Sequence, residues 1–118
     1  MIAIDVRALS KLHGATPALM DVTFSVPHGT LVAVTGPPRS GKSTLLKLLA
    51  GTFAASGGRI RLFDLDVRHD RLASASAVGV VPQGRSACTS MPLSDVLHCA
   101  GRARRLPATT LDRRIAAV

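Results

Sequence analysis

The sequence predicts an α/β fold, and three observations carry that prediction. Apolar residues alternate with polar ones in two early segments. A run that is apolar on both faces, "TLVAVTG" (residues 30–36), follows them. That run then passes through a glycine-containing turn into a leucine-rich stretch with helical spacing. Alternation marks half-exposed strands, an unbroken apolar run marks a strand covered above and below, and strand–loop–helix–strand order marks a sheet that carries helices.

Taken in order, "IAIDVRAL" (2–9) turns Ile2, Ile4 and Val6 inward against Asp5 and Arg7. "DVTFSVP" (21–27) repeats the pattern with Val22, Phe24 and Val26. Between them "SKLHGATPA" (10–18), with Gly14 and Pro17, reads as a turn-rich link, and "PHG" (27–29) as a second turn. From Gly41 the period changes: Leu45, Leu46, Leu48 and Leu49 share a broad helical face, and Gly51 stands where a helix C-terminus favours glycine. "RIRLFDLDV" (59–67) alternates as an antiparallel or edge strand, and "RHDRLASAS" (68–76) reads as a polar connection. "AVGVVPQ" (77–83) is a short apolar strand ended by Pro82. A helix is expected from about Ser94, with Val96, Leu97 and Ala100 on its inner side and Pro107 breaking it. "TTLDRRIAAV" then begins another, capped by Thr109 or Thr110.

The bulk numbers fit one domain or a piece of one. In 118 residues a compact chain can hide roughly two-thirds of its unfolded surface. No apolar run is long enough to span a bilayer, and "MIAIDVRALSK" lacks the charged-then-apolar secretory pattern, which makes the cytoplasm the default expectation. Cys88 and Cys99 are too few for a disulfide framework and read as reduced, partly buried thiols. A net charge of +8 invites a nucleic-acid reading. The cations are spread along the chain, however, and only three aromatic residues, all Phe, could stack on bases, so no specific nucleic acid is expected. Every acid is an aspartate; the chain contains no glutamate.

The segment "GPPRSGKST" (36–44) has the spacing of a phosphate-binding loop. A strand that ends in a glycine turn and feeds a helix aims backbone N–H groups and the positive end of the helix dipole at one point. Gly36 allows the turn and Gly41 a close backbone approach. Lys42 sets a charge near the terminal phosphates of a bound ligand, Ser43 offers a hydroxyl to Mg²⁺, and Thr44 reaches a neighbouring phosphate oxygen. Pro37 and Pro38 carry no N–H, so the first half of the loop is stiffer and donates less. Arg39 either adds a cation beside the phosphates or projects outward as a solvated residue, and Ser40 completes the loop.

With these pieces in order, nearly the whole chain resembles the amino-terminal part of the nucleotide-binding domain of ATP-binding cassette (ABC) transporters. "ALSKLHGATPALMDVTFSVPHGTLVAVTGPPRSGKSTLLKLLAG" follows that family's opening strands, phosphate loop and helix. "SGGRIRLFDLDV" looks like its next strand, "VGVVPQ" like the strand ending in its Q-loop, and "MPLSDVLHCAGRAR" like the start of its helical subdomain. The resemblance implies a P-loop NTPase fold of ABC type: antiparallel strands, part of the central sheet and the start of a helical subdomain. It divides the chain into a core (1–90) and the start of that subdomain (91–118).

By the same resemblance, residues 36–44 would bind the phosphates of ATP, and Ser43 with Gln83 would hold Mg²⁺. Gln83 would also contact the attacking water; a polar residue after a strand is the alternative. His13 stands where the family places an aromatic that stacks on adenine, and a plain turn histidine is the alternative. Arg39 departs from the glycine usual there. No "LSGGQ"-like signature, Asp-Glu-terminated strand or catalytic glutamate follows Gln83, so the sequence looks like the first half of a cassette. The implied partners are a transmembrane permease subunit, met by residues 83–97, and a second cassette, with the protein held at the inner face of the membrane. The other readings are a nucleotide-binding module without turnover and a soluble ABC protein acting on ribosomes or DNA.

Overall fold

The computed structural model describes residues 1–84 and 90–118, which form two units, 1–80 and 81–118. The first unit holds β1 (Ile2–His13), β2 (Thr16–Pro27), α1 (Lys42–Leu49), β3 (Gly57–Leu62), β4 (Leu65–Asp66) and α2 (Arg71–Ala77). Its strands form one antiparallel sheet in the order β2-β1-β3-β4.

β1 and β2 run past the segment read as a turn-rich link and meet in a two-residue loop, Gly14-Ala15. The long hairpin survives its irregularities because hydroxyls replace missing ladder acceptors. Thr23 Oγ1 accepts from Ala8 N at 2.9 Å, and Ser10 Oγ accepts from Asp21 N at 3.0 Å. Pro17 is compatible with β2 because that strand lies at the sheet edge, where a missing N–H need not break a ladder.

A one-residue bulge sets which side chains of β1 reach the core. Ala8 has φ +48°, and the β1–β2 register shifts between Val6 and Leu9. Val6 and Leu9 therefore both lie fully buried although they are three positions apart. Ile4 packs beside them, but Ile2, expected inside, is 44% exposed. On β2 the alternation holds, with Val26 buried and Val22 and Phe24 half-buried.

Helix α1 adds Leu45 and Leu48 to the cluster of Val6, Leu9, Ile60 and Leu62. Leu49 is half-buried and Leu46 is largely exposed, so the inward stripe is narrower than four leucines suggested. The helix ends at Ala50, and Gly51 follows in the left-handed conformation (φ +72°).

Other expectations are corrected. "RIRLFDLDV" is not one strand: Phe63 and Asp64, both at positive φ, fold it back so that β4 pairs with β3. The connection read as polar contains helix α2, begun by a bond from Ser74 N to the Asp70 carbonyl at 2.8 Å. The two runs read as apolar strands, residues 30–36 and 77–83, carry no strand pairing. A strand exists only as part of a ladder, and parallel neighbours arrive through long crossovers. Among the described residues nothing pairs with either run, which leaves Leu31, Val32, Val34, Val80 and Val81 exposed.

The second unit contains α3 (Leu93–Ala103) and α4 (Ala108–Ala116). Pro107, rather than Thr109 or Thr110, occupies the N-cap of α4, and its carbonyl accepts from Leu111 N at 3.0 Å. Ala100 is exposed, and Gly101 takes the inner position of α3. A Cβ at Gly101 would run into the side chain of Leu111, so glycine is what lets buried Leu111 close onto α3. Val96 and Leu97 are half-buried, as expected. Cys99 is exposed rather than partly buried, and Cys88 lies outside the described residues.

Candidate functional site

The loop 36–44 is bound inward by its own lysine. Lys42 Nζ donates to the Gly36 carbonyl at 2.8 Å, the Pro37 carbonyl at 2.7 Å and Ser40 Oγ at 3.1 Å. An ammonium has three N–H donors, and all three are engaged. Ser40 N closes onto the Pro37 carbonyl at 3.3 Å, and Leu45 N onto the Gly41 carbonyl at 2.8 Å.

Gly41 occupies the N-cap of α1 with φ +95°, and no side chain caps the helix. A Cβ there would lie 2.6 Å from the Ala18 carbonyl oxygen and 2.8 Å from Leu19 Cδ2. Glycine therefore permits both the left-handed backbone and the contact with β2. The first-turn N–H groups of a helix have no intrahelical acceptors, and no acidic residue sits in the first turn of α1. An anion is what that end of the helix attracts.

A cavity of about 180 Å³ opens at this point, lined by Ala18, Arg39, Ser40, Gly41, Lys42, Ser43 and Thr44. Six of these residues belong to the sequence-derived loop. Ala18 was missed, because nothing in the sequence shows which backbone Gly41 approaches. Larger hollows, about 580 Å³ beside Phe53 and Arg68 and about 420 Å³ beside Val67 and Leu72, contain no residue of the loop. Phosphate recognition depends on converging donors and charge more than on volume, which favours the smaller cavity.

The other expected residues lie outside this lining. His13 packs its ring edge-on against Phe53, with centroids 5.7 Å apart, an interaction sequence reading did not anticipate. Lys47 Nζ sits 5.0 Å from the same Phe53 ring. Gln83 is an exposed bend residue of the second unit. For Mg²⁺ the loop offers hydroxyl oxygens: those of Ser43 and Thr44 belong to residues that line the cavity and make no hydrogen bond among the described residues. That suits an ion that keeps several waters and takes its remaining ligands from substrate phosphates. No group of three or more His, Cys, Asp or Glu among the described residues could hold a metal by itself.

A family model described as ABC transporter matches residues 19–114. The chain belongs to the ABC transporter family. An sn-glycerol-3-phosphate import ATP-binding protein of Rhizobium etli is 33% identical over 98% of this ABC chain and 33% of its own length. A mitochondrial iron-sulfur clusters transporter, ATM1 of Gibberella zeae, is 44% identical over 60% of the chain and 10% of its own length. A solved structure described as the ATP binding subunit of an ABC transporter superposes with a TM-score of 0.83 at 27% identity, covering 95% of this chain and 47% of that one. The chain thus spans about a third of the length of the Rhizobium relative. The fold is α/β of the P-loop ABC type, with the antiparallel sheet and, among the described residues, four helices of a partial domain. No helix among the described residues is long and apolar enough to cross a membrane.

Proposed function

We propose that this chain binds ATP with Mg²⁺ through residues 36–44, as part of the nucleotide-binding domain of an ABC transporter. One observation carries the reading: the uncapped, acid-free start of α1 opens into a cavity lined almost wholly by the loop that holds Lys42. When nucleotide enters, Lys42 exchanges its loop acceptors for phosphate oxygens, and the N–H groups of Lys42, Ser43 and Thr44 become phosphate donors. Ser43 supplies one oxygen to Mg²⁺, whose role is to neutralise phosphate charge. By the family resemblance, Gln83 would be a contact of the metal and His13 the adenine neighbour. Residues 1–90 form the nucleotide-binding core and 91–118 begin the helical subdomain.

The names of the relatives, an import ATP-binding protein among them, support a parent protein that couples ATP hydrolysis to transport. Its partners are then a transmembrane permease and a second cassette, with the protein placed at the inner membrane face through that permease. A second reading, nucleotide binding without turnover, has its own support. None of the five aspartates of the first unit lines the loop cavity, so that unit places no carboxylate there to activate water.

Calorimetry of the 118-residue chain with ATP and Mg²⁺ tests the binding claim. A charge-assisted hydrogen bond contributes about 1.5–3 kcal/mol, so Lys42→Ala is expected to weaken binding about tenfold or more. Equal affinities would remove the phosphate-loop assignment.

A further inference from the structure

We propose that Arg39 is a phosphate-binding residue, a second cation that lets this loop hold a polyphosphate without Mg²⁺. The inference rests on the nucleotide-binding reading above and names a ligand of that same site. Arg39 holds φ +63°, a left-handed conformation that strains any residue with a Cβ. That backbone sets Arg39 in the wall of the same cavity as Lys42, Ser43 and Thr44.

Its neighbours leave the guanidinium available. Among the described residues Arg39 forms no hydrogen bond or ion pair, whereas Lys42 is already held by three loop acceptors. No aspartate of the first unit lines the cavity, so nothing anionic in that unit competes there for the charge. The loop also has a deficit that Arg39 can fill, because Pro37 and Pro38 remove two backbone donors from its first half. A guanidinium offers five N–H groups in a planar fork that matches phosphate in a bidentate pair. Phosphate bound here would be neutralised by the Arg39 side chain as well as by Mg²⁺, which lowers the cost of leaving the metal out.

The test measures ATP and inorganic tripolyphosphate binding by calorimetry, in Mg²⁺ and in chelator, with the full chain and its Arg39→Gly, Arg39→Gln and Lys42→Ala variants. Arg39→Gly and Arg39→Gln are both expected to weaken metal-free tripolyphosphate binding about tenfold, with a smaller loss in Mg²⁺. Arg39→Gly is also expected to raise the Tm, since it removes the left-handed strain. Lower affinity in a more stable protein separates a ligand from a structural residue, and Arg39→Gln, which keeps the strain, controls for loop flexibility. Unchanged metal-free affinity in both variants, with binding still lost in Lys42→Ala, would overturn the role of Arg39 and leave the nucleotide reading intact. Failure of the unaltered chain to bind either ligand would overturn both.

Discussion

His98 joins α3 to α4 through Asp112: its Nε2 lies 3.0 Å from Asp112 Oδ1, while Nδ1 lies 2.7 Å from the Ser94 carbonyl oxygen. Both partners are acceptors, and a neutral imidazole has only one N–H. Only the imidazolium satisfies both contacts. The Asp112 hydrogen bond chiefly, then the Ser94 carbonyl, raises the His98 pKa above its usual 6.5, against slight desolvation and the charge of Arg102. A raised folded-state pKa stabilises the folded form fully below the unfolded value, and that contribution disappears as pH climbs through the folded value. Thermal melts of the chain and of His98→Gln are therefore expected to differ at about pH 5.5 and to converge by about pH 8.5. A gap of the same size at both ends would show that the ring works by packing alone.

Gly41→Ala is expected to damage both fold and site. Its Cβ would press on the Ala18 carbonyl at 2.6 Å, in a backbone at φ +95°. Left-handed strain alone costs roughly 1–2 kcal/mol, and relief of the clash moves the loop off β2. Chemical denaturation should show at least that loss, together with weaker ATP binding. Unchanged stability would mean that the close approach to β2 is not required.

Within α1, two leucines separated by two positions should behave as opposites. Leu48 is fully buried in the core cluster, whereas Leu46 is 56% exposed. Leu48→Ala should cost about 2–5 kcal/mol by transfer and cavity terms. Leu46→Ala should stay within about 0.5 kcal/mol. Comparable losses at the two positions would mean that α1 packs through a wider face than Leu45 and Leu48 provide.

Leu46 also shows where sequence reading stops. Periodicity told that α1 has an apolar side, but not how wide a stripe the sheet beneath would cover. In β1, alternation placed Ile2 with Val6, and the bulge at Ala8, invisible to a period of two, moved Leu9 inward instead. The antiparallel strands and the loop 36–44 were legible because their signals are local: alternation, glycine spacing and a lysine at a fixed offset. The runs at 30–36 and 77–83 were misread as formed strands because apolarity reports a demand for burial, not the presence of a neighbour. Helix α2 was hidden by its serines and alanines, which signal little, while Asp70 and the burial of Ser74 set it. At the site, the ring of Phe53 beside His13 and the carbonyl of Ala18 beneath Gly41 are tertiary neighbours that no spacing in the chain encodes.

The last prediction concerns turnover: the 118-residue chain should hold ATP yet hydrolyse it far more slowly than a two-cassette enzyme. Hydrolysis needs the γ-phosphate clamped, the metal held and a carboxylate placed to orient or deprotonate water. On the proposed reading, Lys42, the first turn of α1 and Ser43 would supply the clamp and one metal ligand. The chain has no glutamate, and the five aspartates of the first unit all lie off the loop cavity: Asp5 pairs with Arg7 and Asp64 with Arg61, for example. Asp66 is spent on the N–H groups of Arg68 and His69, and Asp70 accepts from Asp66 N. A positioned general base contributes about 10²–10⁴ in rate, so a site without one is expected to turn over more slowly by about that factor. A phosphate-release assay on purified chain measures this, with Lys42→Ala reporting any contaminating ATPase. Rapid release that vanishes in Lys42→Ala would require a base that none of the first unit's aspartates, as placed here, provides.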